Sequence, residues 1–394
     1  ISYEEALSLV TGTARPLEPE EVPLGDALGR VPAGDVIARA DNPPFPKAAM
    51  DGFAVRAEDV QHLPAELKIV GEVFAGRFPE FPIGPGEAAV ITTGAPVPDG
   101  ADMVVMVEDT ERPAEGVVRV RKLSGANLCP QGEDVRRGEA VLRAGTRLDA
   151  LRVGVAASAG HATLRVVRRP DIALLCTGTE VVEPGAELER GRIYDSNGPM
   201  LSSLLAPEAA EFRYLGAVGD DPDELRRALR EGIEADLLVI SGGVSMGQYD
   251  LVPGCLEELG VERVFHKCTM KPGKPTWFGA RDGSLVFGMP GNPFSCFVVF
   301  RVLVRPTLAR MAGEAETGPV FRSGVMGESF SNRAGRRNFL PCRVSAEEPG
   351  CVLRRTRYHG SADIIGAAGA DALLTLPADC AGVEEGQTVQ FVEL

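Results

Sequence analysis

Residues 236–240 read Asp-Leu-Leu-Val-Ile, a short apolar run rich in branched side chains. That pattern predicts a strand buried on both faces. It stops at Ser241-Gly242-Gly243-Val244-Ser245, where two glycines admit positive φ and leave backbone N–H groups bare for a ligand. A second stretch has the same form: Leu285–Met289 runs into Pro290-Gly291-Asn292-Pro293, and a helix pattern follows over Phe294–Leu303. In open parallel sheets ligands bind at the carboxyl ends of strands, so the two small-residue loops predict one binding site. From Arg169 to about Gly313 strand and helix patterns alternate. Strands are predicted over Asp171–Thr177, Phe212–Val218, Leu237–Ser241 and Leu285–Met289. Helices are predicted over Pro199–Leu205, Asp223–Ile233 and Pro253–Leu259. The second helix has a defined start, with Asp221 as N-cap, Pro222 at N1 and Glu224 at N3. Val261–Cys268 and Thr276–Gly279 read as extended, and Arg281-Asp282-Gly283 as a hairpin turn into the last strand. This is the pattern of a doubly wound α/β domain.

The flanking regions read differently. Ser2–Val10 predicts a first helix, with Ser2 and Glu5 forming a capping box. The proline-rich segment 41–55 ends in the turn signal Asp51-Gly52 and leads into a strand. Lys68–Val73, Ala88–Thr92, Met103–Val107 and Val117–Val120 are short alternating runs broken by Gly and Pro, the mark of a β domain. Helix is expected again over Arg143–Ala159, with Leu148, Leu151, Val155 and Ala156 on one side, and Gly160–Val167 reads as β. Beyond Gly313, Phe339–Val344, Val352–Arg355, Ala372–Leu376 and Thr388–Val392 predict a small all-β domain. The expected architecture is multidomain α/β plus β. A small helical N-terminal domain (1–46 and 138–168) carries an inserted β domain (47–137). A doubly wound α/β domain (169–314) and a C-terminal β-barrel-like domain (315–394) follow.

Charge and composition narrow the function. The formal charge of −15 argues against general binding to nucleic acid or to anionic membranes, both of which call for positive surface. The eight cysteines form no CxxC pair, and no His/Cys cluster has zinc spacing. No apolar stretch is long enough to span a bilayer, and Ile1–Val10 shows no leader pattern. A cytoplasmic protein is the expectation.

Several carboxylates follow the predicted strands: Glu180 after Cys176-Thr-Gly-Thr179, Asp220 and Asp221 after Val218-Gly219, and Asp250 after the Ser-Gly-Gly loop. For each alone a solvated turn or a helix cap is the plainer reading. Gathered at one sheet edge they would repel unless a cation sat among them, and Mg²⁺ commonly shares oxygen ligands with a phosphate. Their basic counterpart is Lys267, Lys271 and Lys274, stiffened by Pro and Gly. With the N-terminus of the helix after Pro293 they suit an anion. No Walker A loop, nucleotide-type Gly-x-Gly-x-x-Gly or Gly-x-Ser-x-Gly elbow is present. His62, His161 and His359 have no evident partners in the sequence.

At this point the motifs resemble one family, the MoeA-like molybdopterin molybdenumtransferases, whose eukaryotic relative is the gephyrin E domain. The likeness covers essentially the whole chain. It rests on Pro43-Pro44-Phe45 with Ala49-Met-Asp-Gly52, Thr93-Gly-Ala-Pro96, Gly132-Glu-Asp134, Thr177-Gly-Thr-Glu180, Asp220-Asp-Pro222, Ser241-Gly-Gly-Val-Ser245, Lys271-Pro-Gly-Lys-Pro275 and Pro290-Gly-Asn-Pro293. Pro46-Lys47-Ala48 departs from the Asp-Asn-Ser that relatives often carry, Phe53 replaces a frequent Tyr, and Leu-Pro-Cys-Arg343 after Phe339 departs near the Arg336 match.

The resemblance implies Mg²⁺-dependent insertion of molybdate into adenylylated molybdopterin, with release of AMP, by a homodimer. Transient contact with other molybdenum-cofactor biosynthesis proteins is a further implication. It assigns catalytic roles to Asp51, Thr93 and Asp134 of the inserted domain and to Glu180, Asp220, Asp250, Lys267 and Lys271 of the α/β domain. Substrate contacts fall on Ser241, Gly242, Gly243, Ser245, Lys274, Pro290, Gly291, Asn292, Pro293, Ser295, Arg336 and Ser361, and Mg²⁺ on Glu180, Asp220 and Asp250. Alternatives are a molybdopterin adenylyltransferase, a non-catalytic peptide-binding scaffold of the gephyrin type, and tungstate in place of molybdate.

Overall fold

The computed structural model describes residues 1–219, 221–244, 251–347 and 350–394. The chain divides into a larger unit (residues 1–20, 145–147 and 165–394) and a smaller one (21–144 and 148–164). The first helix, α1 (Tyr3–Thr13), starts as its sequence dictates. Ser2 Oγ accepts the Glu5 amide and the Glu5 carboxylate accepts the Ser2 amide at 2.7 Å. Tyr3, Ala6 and Val10 then face the core of the larger unit.

The smaller unit is built on a six-stranded sheet of β1 (Gly52–Val55), β2 (Ala65–Val73), β3 (Glu87–Ile91), β4 (Met103–Met106), β5 (Thr110–Ala114) and β6 (Val117–Val120). The order is β4-β1-β3-β2-β6-β5, with β2 and β3 parallel and the other neighbours antiparallel. Alternation sends successive residues to opposite faces. Ala54, Ala89, Ile91 and Val104 fill one core, and Phe53, Val55, Ala88 and Val105 the other. At Gly52 a Cβ would lie 1.9 Å from the Val105 carbonyl oxygen, so the strand pairing admits only glycine.

The helix expected over Arg143–Ala159 is shorter: α2 spans Ala150–Ser158. Asp149 ends the approach by accepting the Arg152 amide at 2.8 Å as N-cap, and Gly145 upstream has φ of 79°. Leu148 is buried ahead of the helix, whereas Leu151 is exposed, so the expected apolar stripe does not form.

In the larger unit the α/β elements are β7 (Ile172–Thr177), α3 (Asn197–Leu205), β8 (Phe212–Val218), α4 (Pro222–Gly232), β9 (Leu237–Ser241), α5 (Val252–Glu258), β10 (Glu262–His266), β11 (Trp277–Arg281), β12 (Ser284–Met289) and α6 (Pro293–Val299). A π-type turn over Phe300–Val304 continues α6 into α7 (Arg305–Met311). The sheet order is β8-β7-β9-β12-β11-β10. Strands β8, β7, β9 and β12 are parallel, and β11 and β10 extend the sheet antiparallel through the hairpin at 281–284. Leu237, Leu238, Val239 and Ile240 are 0% exposed and feed two cores on opposite faces of the sheet. Each such side chain contributes about 1.5–3 kcal/mol on burial. Just upstream of β9, Asp236 accepts two guanidinium hydrogen bonds from Arg168, at 2.7 and 2.8 Å.

The C-terminal region closes into a barrel of β13 (Phe321–Met326), β14 (Arg337–Glu347), β15 (Gly350–Arg355), β16 (Ala372–Leu376) and β17 (Thr388–Glu393). The strands run β14-β15-β13-β17-β16 and return to β14. A two-residue strand, Met270–Lys271, pairs with Arg337 and Asn338 at the start of β14. The lysine segment and the barrel therefore share one hydrogen-bonded ladder. No helix among the described residues is long and apolar enough to cross a membrane.

Candidate active site

Both small-residue loops leave the carboxyl ends of adjacent parallel strands, β9 and β12. The Gly242 amide donates to the Met289 carbonyl at 3.0 Å, which stitches the loops together. Gly242 and Gly243 have φ of 94° and 65°, the left-handed region that side chains disfavour. A cleft of about 730 Å³ opens over them. Glu180, Ser241, Gly242, Gly243, Pro290, Gly291, Asn292 and Pro293 all line it. A Cβ built on Gly178 would lie 2.7 Å from Glu180 Oε2, so this carboxylate curls over its own turn at the cleft wall.

The floor of this cleft is polar but not nucleophilic. Burial, with the charge of Asp195 adding to it, pushes the Cys176 thiol up to about 12. Burial likewise raises Cys296, whose Sγ donates to the Pro290 carbonyl at 2.6 Å. Both remain thiols at neutral pH. Asp195 is buried and accepts the Gly198 amide at 2.8 Å and the Tyr214 hydroxyl at 2.6 Å. Burial and this carboxylate hold the Tyr214 hydroxyl far above the usual phenol range.

A second cleft, of about 540 Å³, shares Pro275, Pro290 and Asn292 with the first. It is lined by Lys271, Lys274, Ser295, Arg336 and Ser361, all expected from the sequence, and by Arg333, Arg355 and His359, which were not. Among the described residues its lining carries five Lys or Arg side chains and no Asp or Glu. Asn292 donates to Ser361 Oγ at 2.8 Å and the Phe294 amide to the Ser361 carbonyl at 3.1 Å, tying the loop after β12 to the barrel side. His359 does have a partner: its Nδ1 lies 3.1 Å from Asp363 Oδ2, which also accepts the His359 amide at 2.9 Å. Both residues lie ahead of the short helix Ile364–Ala367, which Asp363 caps by accepting the Gly366 amide.

The remaining expected residues fall elsewhere. Lys267 lines neither cleft; its backbone has φ of 78° and its amide donates to the Thr276 carbonyl at 2.8 Å. In the smaller unit Asp51 accepts the Thr93 amide at 2.6 Å and the Thr93 hydroxyl at 2.8 Å. These two bonds, the amide's first, hold the Asp51 carboxyl below the ordinary range. Asp134 sits in the turn at 130–135 and donates its amide to the Asn42 carbonyl at 2.9 Å. Asp220, Ser245 and Asp250 lie outside the described residues. Among the described residues no group of three His, Cys, Asp or Glu could hold a metal ion.

Comparison with known proteins decides the family. Residues 1–160 match the MoeA N-terminal region (domain I and II), 173–310 a probable molybdopterin binding domain, and 323–394 the MoeA C-terminal region (domain IV). The chain belongs to the MoeA family. This MoeA-family chain is 32% identical over 402 residues to the molybdopterin molybdenumtransferase of Bacillus subtilis strain 168, covering 100% of this chain and 94% of that one. It is 30% identical to the enzyme of the same name from Staphylococcus aureus strain N315, covering 100% and 95%. The crystal structure of the molybdopterin biosynthesis moeA protein from Pyrococcus horikoshii OT3 superposes with a TM-score of 0.86 at 30% identity and full coverage of both chains.

Proposed function

We propose that this chain is a molybdopterin molybdenumtransferase, which inserts molybdate into adenylylated molybdopterin and releases AMP. One observation carries the reading. In a chain of net charge −15, a cleft lined by Lys271, Lys274, Arg333, Arg336 and Arg355 adjoins a strand-end cleft walled by two bare-backbone loops. Lysine and arginine favour an oxyanion, and loop N–H groups favour phosphate. Molybdate is assigned to the cationic cleft and the pterin phosphate to the strand-end cleft. The raised thiols of Cys176 and Cys296 fit a reaction without a protein nucleophile.

Glu180 offers a hard oxygen donor at the cleft wall, which suits Mg²⁺. With Asp220 and Asp250 it would hold the ion, which neutralises charge on bridging phosphate oxygens when bound. The assembly is assigned as a homodimer in which Asp51, Thr93 and Asp134 of one subunit complete the site of the other. The domains are assigned as 1–46 with 138–168, 47–137, 169–314 and 315–394, and the location as cytoplasmic.

Lys271→Ala or Arg336→Ala should raise the KM for molybdate about ten- to hundredfold, the worth of one charge-assisted hydrogen bond. Asp220→Asn or Asp250→Asn should leave the chain folded and stop AMP release from adenylylated molybdopterin. AMP at the normal rate in the latter pair would remove the metal role. Nucleotide transfer from ATP to plain molybdopterin would make the chain an adenylyltransferase instead.

A further inference from the structure

Asn197 is the first residue of α3, one position inside the N-cap Ser196. Here its carboxamide turns outward and donates twice, to Ser241 Oγ at 2.8 Å and to the Gly291 carbonyl at 2.7 Å. Those acceptors belong to the loops after β9 and β12, the two that wall the strand-end cleft. Asn197 is itself held in place. Asp195 accepts the Gly198 amide and the Tyr214 hydroxyl, so the start of α3 is anchored to β8. A Cβ on Gly198 would lie 2.3 Å from Asp195 Oδ2 and 2.5 Å from the Tyr214 hydroxyl, which leaves the anchor no slack. Among the described residues the buried Asn197 Oδ1 finds no hydrogen-bond partner. The donor half of the amide is what ties the two loops.

We infer that Asn197 is a positioning residue for the transfer reaction: it fixes the spacing of the Ser241–Gly243 and Pro290–Pro293 loops so that one phosphorylated ligand meets both. The inference rests on the proposed function for its ligand, adenylylated molybdopterin, and on the two hydrogen bonds alone for the clamp.

Two measurements test it separately. In steady-state assays of AMP release, Asn197→Ala should raise the KM for adenylylated molybdopterin about tenfold or more, since two hydrogen bonds are lost. The KM for molybdate should rise less than that for the pterin, because the cationic cleft shares only Pro290 and Asn292 of the held loop. Asn197→Asp keeps the size and the contact with the Ser241 hydroxyl but cannot donate to Gly291, so it should be impaired like the alanine variant. Full activity in Asn197→Asp, or an equal rise in both KM values, overturns the positioning role. The second measurement needs no substrate. Amide hydrogen exchange of the ligand-free chain should speed up about tenfold over residues 241–243 and 289–292 in Asn197→Ala, with β7 unchanged; unchanged exchange overturns the clamp. A wild-type chain that releases no AMP would sink the functional reading, while the exchange result would still decide the clamp.

Discussion

Single side chains hold the start of α4, through Asp221, and the two loops of the strand-end cleft, through Asn197. Asp221 was legible as a cap because its donors, the amides of Asp223 and Glu224, are local; both bonds form at 2.9 Å. Asn197 gave no such signal, for its partners stand 44 and 94 residues further on. The Asp51–Thr93 pair lies between these cases, since the motif marked both residues but not their direct bonding. Because the folded pKa of Asp51 is depressed, the stability it adds is present above the ordinary carboxylate range and is lost as pH falls through the folded value. Thr93→Val removes the hydroxyl donor and keeps the amide, so the Asp51 pKa should rise part of the way back. A carbonyl-carbon NMR titration of the two proteins would read the shift, and identical titrations would show that the hydroxyl is idle.

Among elements, those with both faces buried were placed nearly to the residue. β9 stands where its apolar run predicted, with Leu237, Leu238, Val239 and Ile240 enclosed between the cores on the two sheet faces. Leu238→Ala should destabilise the chain by about 2–5 kcal/mol, read from urea unfolding, since the side chain is fully enclosed and its removal leaves a cavity. A change below 1 kcal/mol would mean that the sheet relaxes around the gap. The overlong helix before α2 has the opposite cause. Arg143–Leu148 carries helix-compatible side chains, but Asp149 captures the Arg152 amide and starts the helix late. β13 escaped the sequence reading because its residues alternate only weakly, with Arg322 and Ser323 exposed beside Gly324. It is fixed instead by pairing with β17 and β15.

At the scale of the whole molecule, charge separates the surface from the site. The net charge of −15 repels anions at long range, whereas the cationic cleft attracts them at short range. Salt screens exposed charges, and the cleft lysines Lys271 and Lys274 are exposed. The KM for molybdate should therefore rise with ionic strength, more steeply than the KM for the pterin. A flat molybdate response would mean that Lys271 and Lys274 carry little of the affinity. The proposed homodimer should appear by light scattering as twice the 41.7 kDa chain mass. Arg333, Arg355 and His359 could not be assigned to the cleft beforehand, because only barrel closure brings them beside Lys271 and Lys274.

The ladder between Met270–Lys271 and the first residues of β14 sets barrel residues beside the cleft lysines, so exchange of the barrel should alter ion preference if the core-facing Phe339 and Leu373 are kept. Three of the five cationic side chains, Arg333, Arg336 and Arg355, arrive on this barrel, which joins the α/β elements through that ladder and through Phe339 and Leu373 in their shared core. Grafting another relative's barrel onto residues 1–314 should thus transplant that donor's ranking of molybdate over tungstate while leaving pterin recognition with the host.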